Sequence, residues 1–276
     1  MFTEWLQAQG KTKATVKETV NYAKLYCSVL ETGDASVLVT LSPANKRHAM
    51  SALANWAKFV GKYELWLQIR HNHSLKWSKG DSMKVFERFF NPGLTLEAML
   101  QRIRKMIEKT PPSIGKILRF AVLTGLRPSE AVESVRLLND SGNMKIHESG
   151  NYYNPETQAL EHFRYPDIFL RQTKKAYLSF IRPENVHNMK FHNMQVPSYN
   201  DIRLACYYHA GINCDMRFCR KVFASYLSHK GIQSELIDVL QGRVPHSVFA
   251  RHYLVPEDSL THKILSAVTE LSDRLN

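Results

Sequence analysis

Apolar residues recur every third or fourth position through most of the chain, the spacing that places them on one face of an α-helix. This pattern predicts short amphipathic helices over residues 2–86 and a second series of helices from residue 94 onward. Between residues 144 and 181 the period shortens to that of strands, which we predict at 144–146, 162–170 and 176–181. The predicted fold is therefore mainly α with a small antiparallel β-sheet, an α+β architecture.

Turn-forming residues interrupt the helical pattern over a linker at about residues 78–93. The linker contains GDS at 80–82 and NPG at 91–93, which favour turns over regular structure. A chain of 276 residues is long enough to bury two cores. We therefore predict a helical domain at 1–86 and a second domain, which includes the sheet, at 94–276.

One turn of the second domain has the features of an anion site. Gly125 ends a predicted helix and Pro128 begins the next, so Arg127 lies at a helix N-terminus. Unpaired backbone N–H groups and the helix dipole favour an anion there, and the guanidinium adds to them. Such an arginine can instead simply cap the preceding helix, but the arginines downstream favour anion binding.

Three arginines and one tyrosine within residues 215–254 stand at informative spacings, among the four arginines and two tyrosines of that segment. Arg217 and Arg220 stand three apart where apolar residues recur at helical spacing, so they should share one helix face. Arg243 follows the next predicted helix, and Tyr253 comes ten residues later. Several guanidiniums with one phenol suit a single task, in which the arginines grip a phosphate while the tyrosine oxygen attacks it.

The net charge of +12 favours a polyanionic partner. Residues 1–86 hold twelve Lys and Arg against six Asp and Glu, and the remaining residues hold twenty-five against nineteen. Both predicted domains are therefore basic. In the first domain the basic residues are candidates for contacts with DNA phosphates, although a solvated basic face has the same composition. The candidates are Lys11, Lys13, Lys46, Arg47, Lys58 and Lys62.

Membrane insertion, secretion and metal chemistry find no support in the sequence. No segment is apolar over enough length to cross a membrane, and the polar N-terminus lacks the apolar run of a signal peptide. We expect a cytoplasmic protein, associated with the nucleoid of a host cell. Cys206, Cys214 and Cys219, with His209 nearby, lack a CxxC pair, so we expect neither a metal site nor a cofactor.

The segment 215–254 resembles the C-terminal signature of the tyrosine recombinases, the integrase family. In that signature an arginine-bearing helix, a Leu-Gly-His-like turn and a nucleophilic tyrosine follow in this order. Upstream, TGLRPSEA at 124–131 resembles the family's first arginine box. The resemblance is closest to the archaeal, fusellovirus-type integrases, because Arg217 and Arg243 stand where the wider family has histidines. It extends from about residue 94 to residue 253.

The resemblance implies a role for each of these residues. Tyr253 would form a 3′-phosphotyrosyl link to DNA, while Arg127 and Arg220 clamp the scissile phosphate. A guanidinium does not release its proton near neutral pH, so Arg217 and Arg243 would stabilise charge without acting as bases.

In the family a lysine on a β-hairpin protonates the leaving 5′-oxygen. By resemblance that lysine is Lys174, in the turn predicted at 171–175. The alternative is Lys175, which otherwise contacts DNA.

The resemblance implies a site-specific DNA recombinase, the integrase of an archaeal virus or plasmid. It would act as a homo-tetramer on a double-stranded attachment site. A type IB topoisomerase would use the same chemistry without exchanging strands. A non-catalytic basic DNA-binding protein would keep the charge and not need Tyr253. The amphipathic segment after Ser259 can fold onto its own domain or onto a neighbouring subunit.

Overall fold

A computed structural model divides the chain into two compact units, Met1–Pro92 and Gly93–Asn276. The structure describes residues 1–77, 93–139, 152–171, 175–191, 195–212, 216–243 and 259–276. The strand predicted at 144–146 and nearly all of the predicted linker lie outside these residues.

The first unit is helical over residues 1–77. Helices α2 (Lys13–Tyr26) and α5 (Pro43–Phe59) pack against each other. They run antiparallel, because Lys11 forms a hydrogen bond with Asn55 (3.3 Å) while Tyr22 forms one with Asn45 (3.2 Å). Their inner faces, together with three of the other helices, bury a core around Leu53. The helices are α1 (Phe2–Ala8), α2 (Lys13–Tyr26), α3 (Val29–Thr32), α4 (Ser36–Val39), α5 (Pro43–Phe59) and α6 (Tyr63–Asn72).

The second unit combines helices with a small sheet. Its first part comprises α7 (Leu96–Lys109), α8 (Pro112–Thr124), α9 (Pro128–Asn139), β1 (Tyr153–Asn154), β2 (Ala159–Glu161), a 3₁₀ turn (His162–Arg164), α10 (Pro166–Phe169) and β3 (Leu178–Phe180). Its second part comprises α11 (Pro183–His187), α12 (Tyr199–Ala210), α13 (Arg217–His229), α14 (Ser234–Leu240) and α15 (Leu260–Asp273). The prediction of a mainly α fold with a small antiparallel sheet is confirmed.

The three strands form an antiparallel sheet in the order β1-β2-β3, with Leu160 opposite Tyr153 on one side and Ser179 on the other. Strand β3 lies within the range predicted at 176–181. The strand predicted at 162–170 is wrong, because those residues form the 3₁₀ turn and α10. Pro166 opens α10: it has no N–H for a strand partner, and its fixed φ suits a first helical turn.

Helix α8 is the centre of the second unit. It is apolar on nearly every face, so α7, α9, α13 and α15 surround it. Gly115 lets α7 approach closely, since a Cβ there would lie 2.9 Å from the carbonyl oxygen of Ile107. The burial of α8 fixes the turn that follows it, which carries Arg127.

Helix α15 buries Ile264, Val268 and Leu271 in the core of the second unit. Of the two placements open to the C-terminal segment, the structure therefore has it on its own domain. Among the helices that the structure describes, none is long and apolar enough to cross a bilayer.

Candidate active site

The turn between α8 and α9 fits tightly against α13. Gly125 ends α8 with φ of 63°, a left-handed conformation that favours glycine. A Cβ at this position would lie 2.4 Å from Cδ1 of Phe223 on α13. The contact requires glycine and brings Arg127, two residues on, to the helix that carries Arg217 and Arg220.

Arg127 is held from two directions. Its Nη1 donates to Oε1 of Glu130 (2.9 Å), and its backbone N–H donates to the other oxygen of that carboxylate (3.1 Å). Its Nη2 donates to the carbonyl oxygen of Gly242 (3.0 Å). The Glu130 side chain is fully buried, whereas that of Arg127 is 19% exposed. The carboxylate therefore braces the guanidinium from behind and leaves one edge of it accessible.

Arg220 is fixed by backbone carbonyls. Its Nη1 donates to the oxygen of Gly125 (2.9 Å) and its Nη2 to that of Gln241 (3.0 Å). The amide of Gln241 returns a hydrogen bond to the carbonyl of Arg220 (2.8 Å). Burial, and then the positive charges of Arg127 and Arg243, lower the pKa of Arg220 to about 10. Arg220 stays charged at neutral pH, and its neighbours make that charge costly.

The four predicted arginines line one open cavity of about 500 Å³. Arg217 is exposed at the start of α13, and Arg243 is exposed and donates to Oδ1 of Asp238 (2.7 Å). The cavity is lined by Arg127, Pro128, Ser129, Tyr199, Arg217, Arg220 and Arg243. Its charge and its preset donors suit a tetrahedral oxyanion such as a phosphate.

A larger cavity of about 690 Å³ lies beside α15. It sets Arg182 against the carboxylates of Glu184, Glu270 and Asp273. That mixture of charges does not suit a phosphate, so the arginine cavity is the better candidate for the site.

Gly242 joins the segment at Lys175 to the arginine cavity. Its carbonyl oxygen accepts the Lys175 backbone N–H (3.1 Å) as well as Nη2 of Arg127. Its φ is 69°, and a Cβ would lie 2.6 Å from the backbone nitrogen of Ala176. The turn predicted at 171–175 falls largely on residues 172–174, which lie outside the described residues. Lys175 itself lies between α10 and β3, so a helix rather than the predicted strand precedes it.

Two predicted catalytic residues, Lys174 and Tyr253, lie outside the described residues, as does Cys214. Lys174 immediately precedes Lys175, whose side chain is half-buried. Among the described residues, no three His, Cys, Asp or Glu side chains gather closely enough to hold a metal ion.

The candidate DNA-contacting residues of the first unit differ in exposure. Lys13, Arg47, Lys58 and Lys62 are exposed, while Lys11 and Lys46 are partly buried. The Lys58 ammonium lies 4.9 Å from the centroid of the Tyr63 ring.

Three residues that shape the cavity were not predicted as site residues from the sequence. Glu130 stands three positions after Arg127 in the first turn of α9, where an acid is common, so its pairing could have been anticipated. Gln241 and Tyr199 gave no local signal. Gln241 reaches Arg220 across 21 positions, and Tyr199 begins α12 at the cavity wall.

The family model described as archaeal phage integrase matches residues 94–260, more than half of the chain. The protein therefore belongs to the archaeal phage integrase family, a class of recombinases whose partner is DNA. The matched range contains the four arginines of the cavity and Tyr253. A search among curated proteins finds no match.

Proposed function

We propose that the protein is a tyrosine-type, site-specific recombinase that integrates the DNA of an archaeal virus or plasmid. The observation that carries the proposal is the cavity where Arg127, Arg217, Arg220 and Arg243 meet. An integrase must hold a scissile phosphate, and this cavity has the charge and the directed donors to do so.

In the proposed reaction the phosphate binds in the arginine cavity. Arg127 and Arg220 donate to its non-bridging oxygens, and Arg217 and Arg243 add positive charge. Braces fix both clamping guanidiniums before DNA arrives, so little reorganisation is needed as negative charge builds up on the phosphate. Removing one preorganised donor of this kind typically costs about 10²–10³ in rate.

The Tyr253 oxygen then attacks phosphorus. The new phosphorus–tyrosine bond forms as the bond to the 5′-oxygen breaks, and Lys174 or Lys175 gives that oxygen a proton. The phenol, with an ordinary pKa of about 10, loses its proton to water or to a phosphate oxygen, since the arginines cannot take it. A 5′-hydroxyl from a second duplex reverses these steps, so strands are rejoined without ATP.

The exposed cations of the first unit would bind the DNA backbone at the same attachment site. Lys13, Arg47, Lys58 and Lys62 are the main candidates, since their side chains are exposed. We further propose that four copies assemble on DNA, as strand exchange between two duplexes requires four cleavages.

Trapping on a nicked suicide duplex tests the proposal. Wild type should form a covalent protein–DNA adduct, and Tyr253→Phe should form none while binding the duplex with nearly unchanged affinity. Tyr177→Phe, which alters an exposed tyrosine of the same unit, is the matched control and should react like wild type. An adduct with Tyr253→Phe would place the nucleophile elsewhere and overturn the assignment.

A two-site assay separates a recombinase from a type IB topoisomerase. Wild type should exchange strands between two duplexes that carry the attachment site. Relaxation of supercoils without any exchange would favour the topoisomerase.

A further inference from the structure

A chain of hydrogen bonds crosses the apolar core of the second unit. Ser134 Oγ lies 2.6 Å from the Tyr152 hydroxyl, which lies 2.7 Å from Nδ1 of His162. Nε2 of His162 lies 2.8 Å from Oγ of Ser179, which donates to the carbonyl oxygen of Thr124 (3.4 Å). All five residues are buried. A buried polar chain is costly unless every group in it is paired.

One set of donor and acceptor roles satisfies every group in this chain of hydrogen bonds. Because Ser179 gives its proton to Thr124, its oxygen accepts from Nε2–H of His162. Burial lowers the pKa of His162 to about 3, so the ring is neutral and its Nδ1 is an acceptor. Tyr152 therefore donates to Nδ1, and its oxygen accepts from Ser134. In this arrangement each proton of the hydrogen-bond chain has one acceptor.

The two ends of the hydrogen-bond chain lie on either side of the arginine turn, residues 125–127 between α8 and α9. Ser134 lies on α9, whose first turn carries Glu130, and Thr124 is the last residue of α8. Gly125 follows Thr124 and accepts a hydrogen bond from Arg220. The chain therefore ties the sheet to the helices on both sides of the phosphate-binding residues.

The middle of the hydrogen-bond chain contacts the backbone beside Lys175 indirectly, through Phe169. The His162 ring packs on that of Phe169, with centroids 4.4 Å apart. The carbonyl oxygen of Phe169 accepts the backbone N–H of Ala176 (3.3 Å), the residue against which Gly242 packs. Ser179 follows in β3. The same hydrogen-bond chain thus supports the backbone at Lys175 and Ala176, the lysine segment, on one side and the arginine turn on the other.

We propose that Tyr152 and His162 are positioning residues for DNA cleavage, which hold the backbone at Lys175 and Ala176 at a set distance from Arg127. The inference rests on the proposed function. Apolar packing alone permits small shifts of one element against another, whereas a chain of hydrogen bonds fixes lengths and angles. Misplacing a reacting group by about 1 Å can cost about 10²-fold in rate.

The test compares Tyr152→Phe with Tyr153→Phe. Both change a buried tyrosine to its shape-conserving analogue, but the Tyr153 hydroxyl bonds to the Ile181 carbonyl (3.3 Å), outside the chain. Thermal stability, duplex affinity and the single-turnover rate of adduct formation are measured for each. We expect similar losses of stability and unchanged affinities, and about a 10-fold or larger loss of rate for Tyr152→Phe alone.

A duplex with sulfur as the bridging 5′-atom shows which group has moved. This leaving group needs no proton, so it should restore most of the rate of Tyr152→Phe if the lysine segment is displaced. Ser179→Ala breaks the chain at its other half and should show the same loss and rescue. It also provides the measurement if Tyr152→Phe does not fold.

Equal rates for Tyr152→Phe and Tyr153→Phe would overturn the positioning role and leave the recombinase intact. A loss that sulfur does not relieve would also overturn it, because the lysine segment would not be what had moved. A wild type that forms no adduct on either duplex would instead overturn the proposed function, and this inference with it.

Discussion

The carbonyl oxygen of Gly242 lies 3.0 Å from Nη2 of Arg127, across 115 positions of the sequence. The same oxygen accepts the backbone N–H of Lys175. One peptide group therefore sets the first arginine against the segment that carries the candidate general acid. A change at Gly242 should disturb both.

Gly242→Ala should abolish adduct formation and destabilise the fold by about 2–5 kcal/mol, from left-handed strain and overpacking together. The added Cβ would lie 2.6 Å from the backbone nitrogen of Ala176, which cannot turn aside as a side chain can. Gly231→Ala is the control, because Gly231 has φ of 77° and no atom within 4 Å of its Cβ position. It should cost about 1 kcal/mol and keep activity. Chemical denaturation and suicide-duplex trapping measure the two effects. Equal behaviour of the variants would show that the contact with Ala176 is unimportant.

Glu130→Gln should lower the free energy of unfolding by about 3 kcal/mol, because it removes the charge of a buried ion pair and leaves Arg127 uncompensated. Adduct formation should fall with it, since Arg127 loses its brace. Glu133→Gln is the control: Glu133 lies on the same helix, 39% exposed, and pairs with Arg136 on the surface. Its effect should stay within about 0.5 kcal/mol. If Glu130→Gln were as stable and as active as wild type, the buried carboxylate would not hold Arg127 in place.

The roles of the two neighbouring lysines can be distinguished by how the cleavage rates of their alanine variants depend on the leaving group. Lys174→Ala should lose about 10²–10⁴ in cleavage rate, the usual contribution of a general acid, whereas Lys175→Ala should lose much less. A duplex with a bridging 5′-sulfur should rescue Lys174→Ala and not Arg220→Ala, which still lacks part of its phosphate clamp. Rescue confined to Lys175→Ala would transfer the acid role to that residue. Equal rescue of Lys174→Ala and Arg220→Ala would remove Lys174 from the role.

Stability should fall in mild acid because of His162. Its pKa is about 3 in the folded protein and 6.5 in the unfolded chain, so between these values only the unfolded chain binds the proton. The neutral, buried His162 therefore does not lower the free energy of unfolding above pH 6.5. Below that pH the free energy of unfolding declines by about 1.4 kcal/mol per pH unit. His162→Gln should flatten this slope in urea denaturation at pH 5 and pH 7, while the exposed His187→Gln should leave it unchanged. A slope that survives His162→Gln would assign the proton uptake to other groups.

The parts of the site that local chemistry encodes can be predicted from the sequence. Pro112, Gly125 and Pro128 mark helix ends in the sequence and in the structure, and Arg217 and Arg220 share the helix predicted for them. The prediction of a strand at 162–170 was wrong because the apolar residues of this segment fit either a strand or short helical turns. Pro166 favours the helical turn.

Other features arise from residues far apart in the chain. Gln241 forms a hydrogen bond with Arg220 across 21 positions, and Ser179 forms one with His162 across 17. The sequence does not indicate which residue a glutamine or a serine will contact at such a distance. The burial of Glu130 likewise follows from the packing of α8 and α9 rather than from its place in the sequence.

The arginine cavity concentrates like charges at a cost to the folded chain. Arg220 is anchored by carbonyl oxygens, which carry partial charges, and the charges of Arg127 and Arg243 oppose its own. In the proposed function a bound DNA phosphate would relieve that repulsion, so part of the affinity for the phosphate would come from a strain that the folded protein carries before binding. We expect such a cost in stability at a site arranged for a reaction rather than for stability alone.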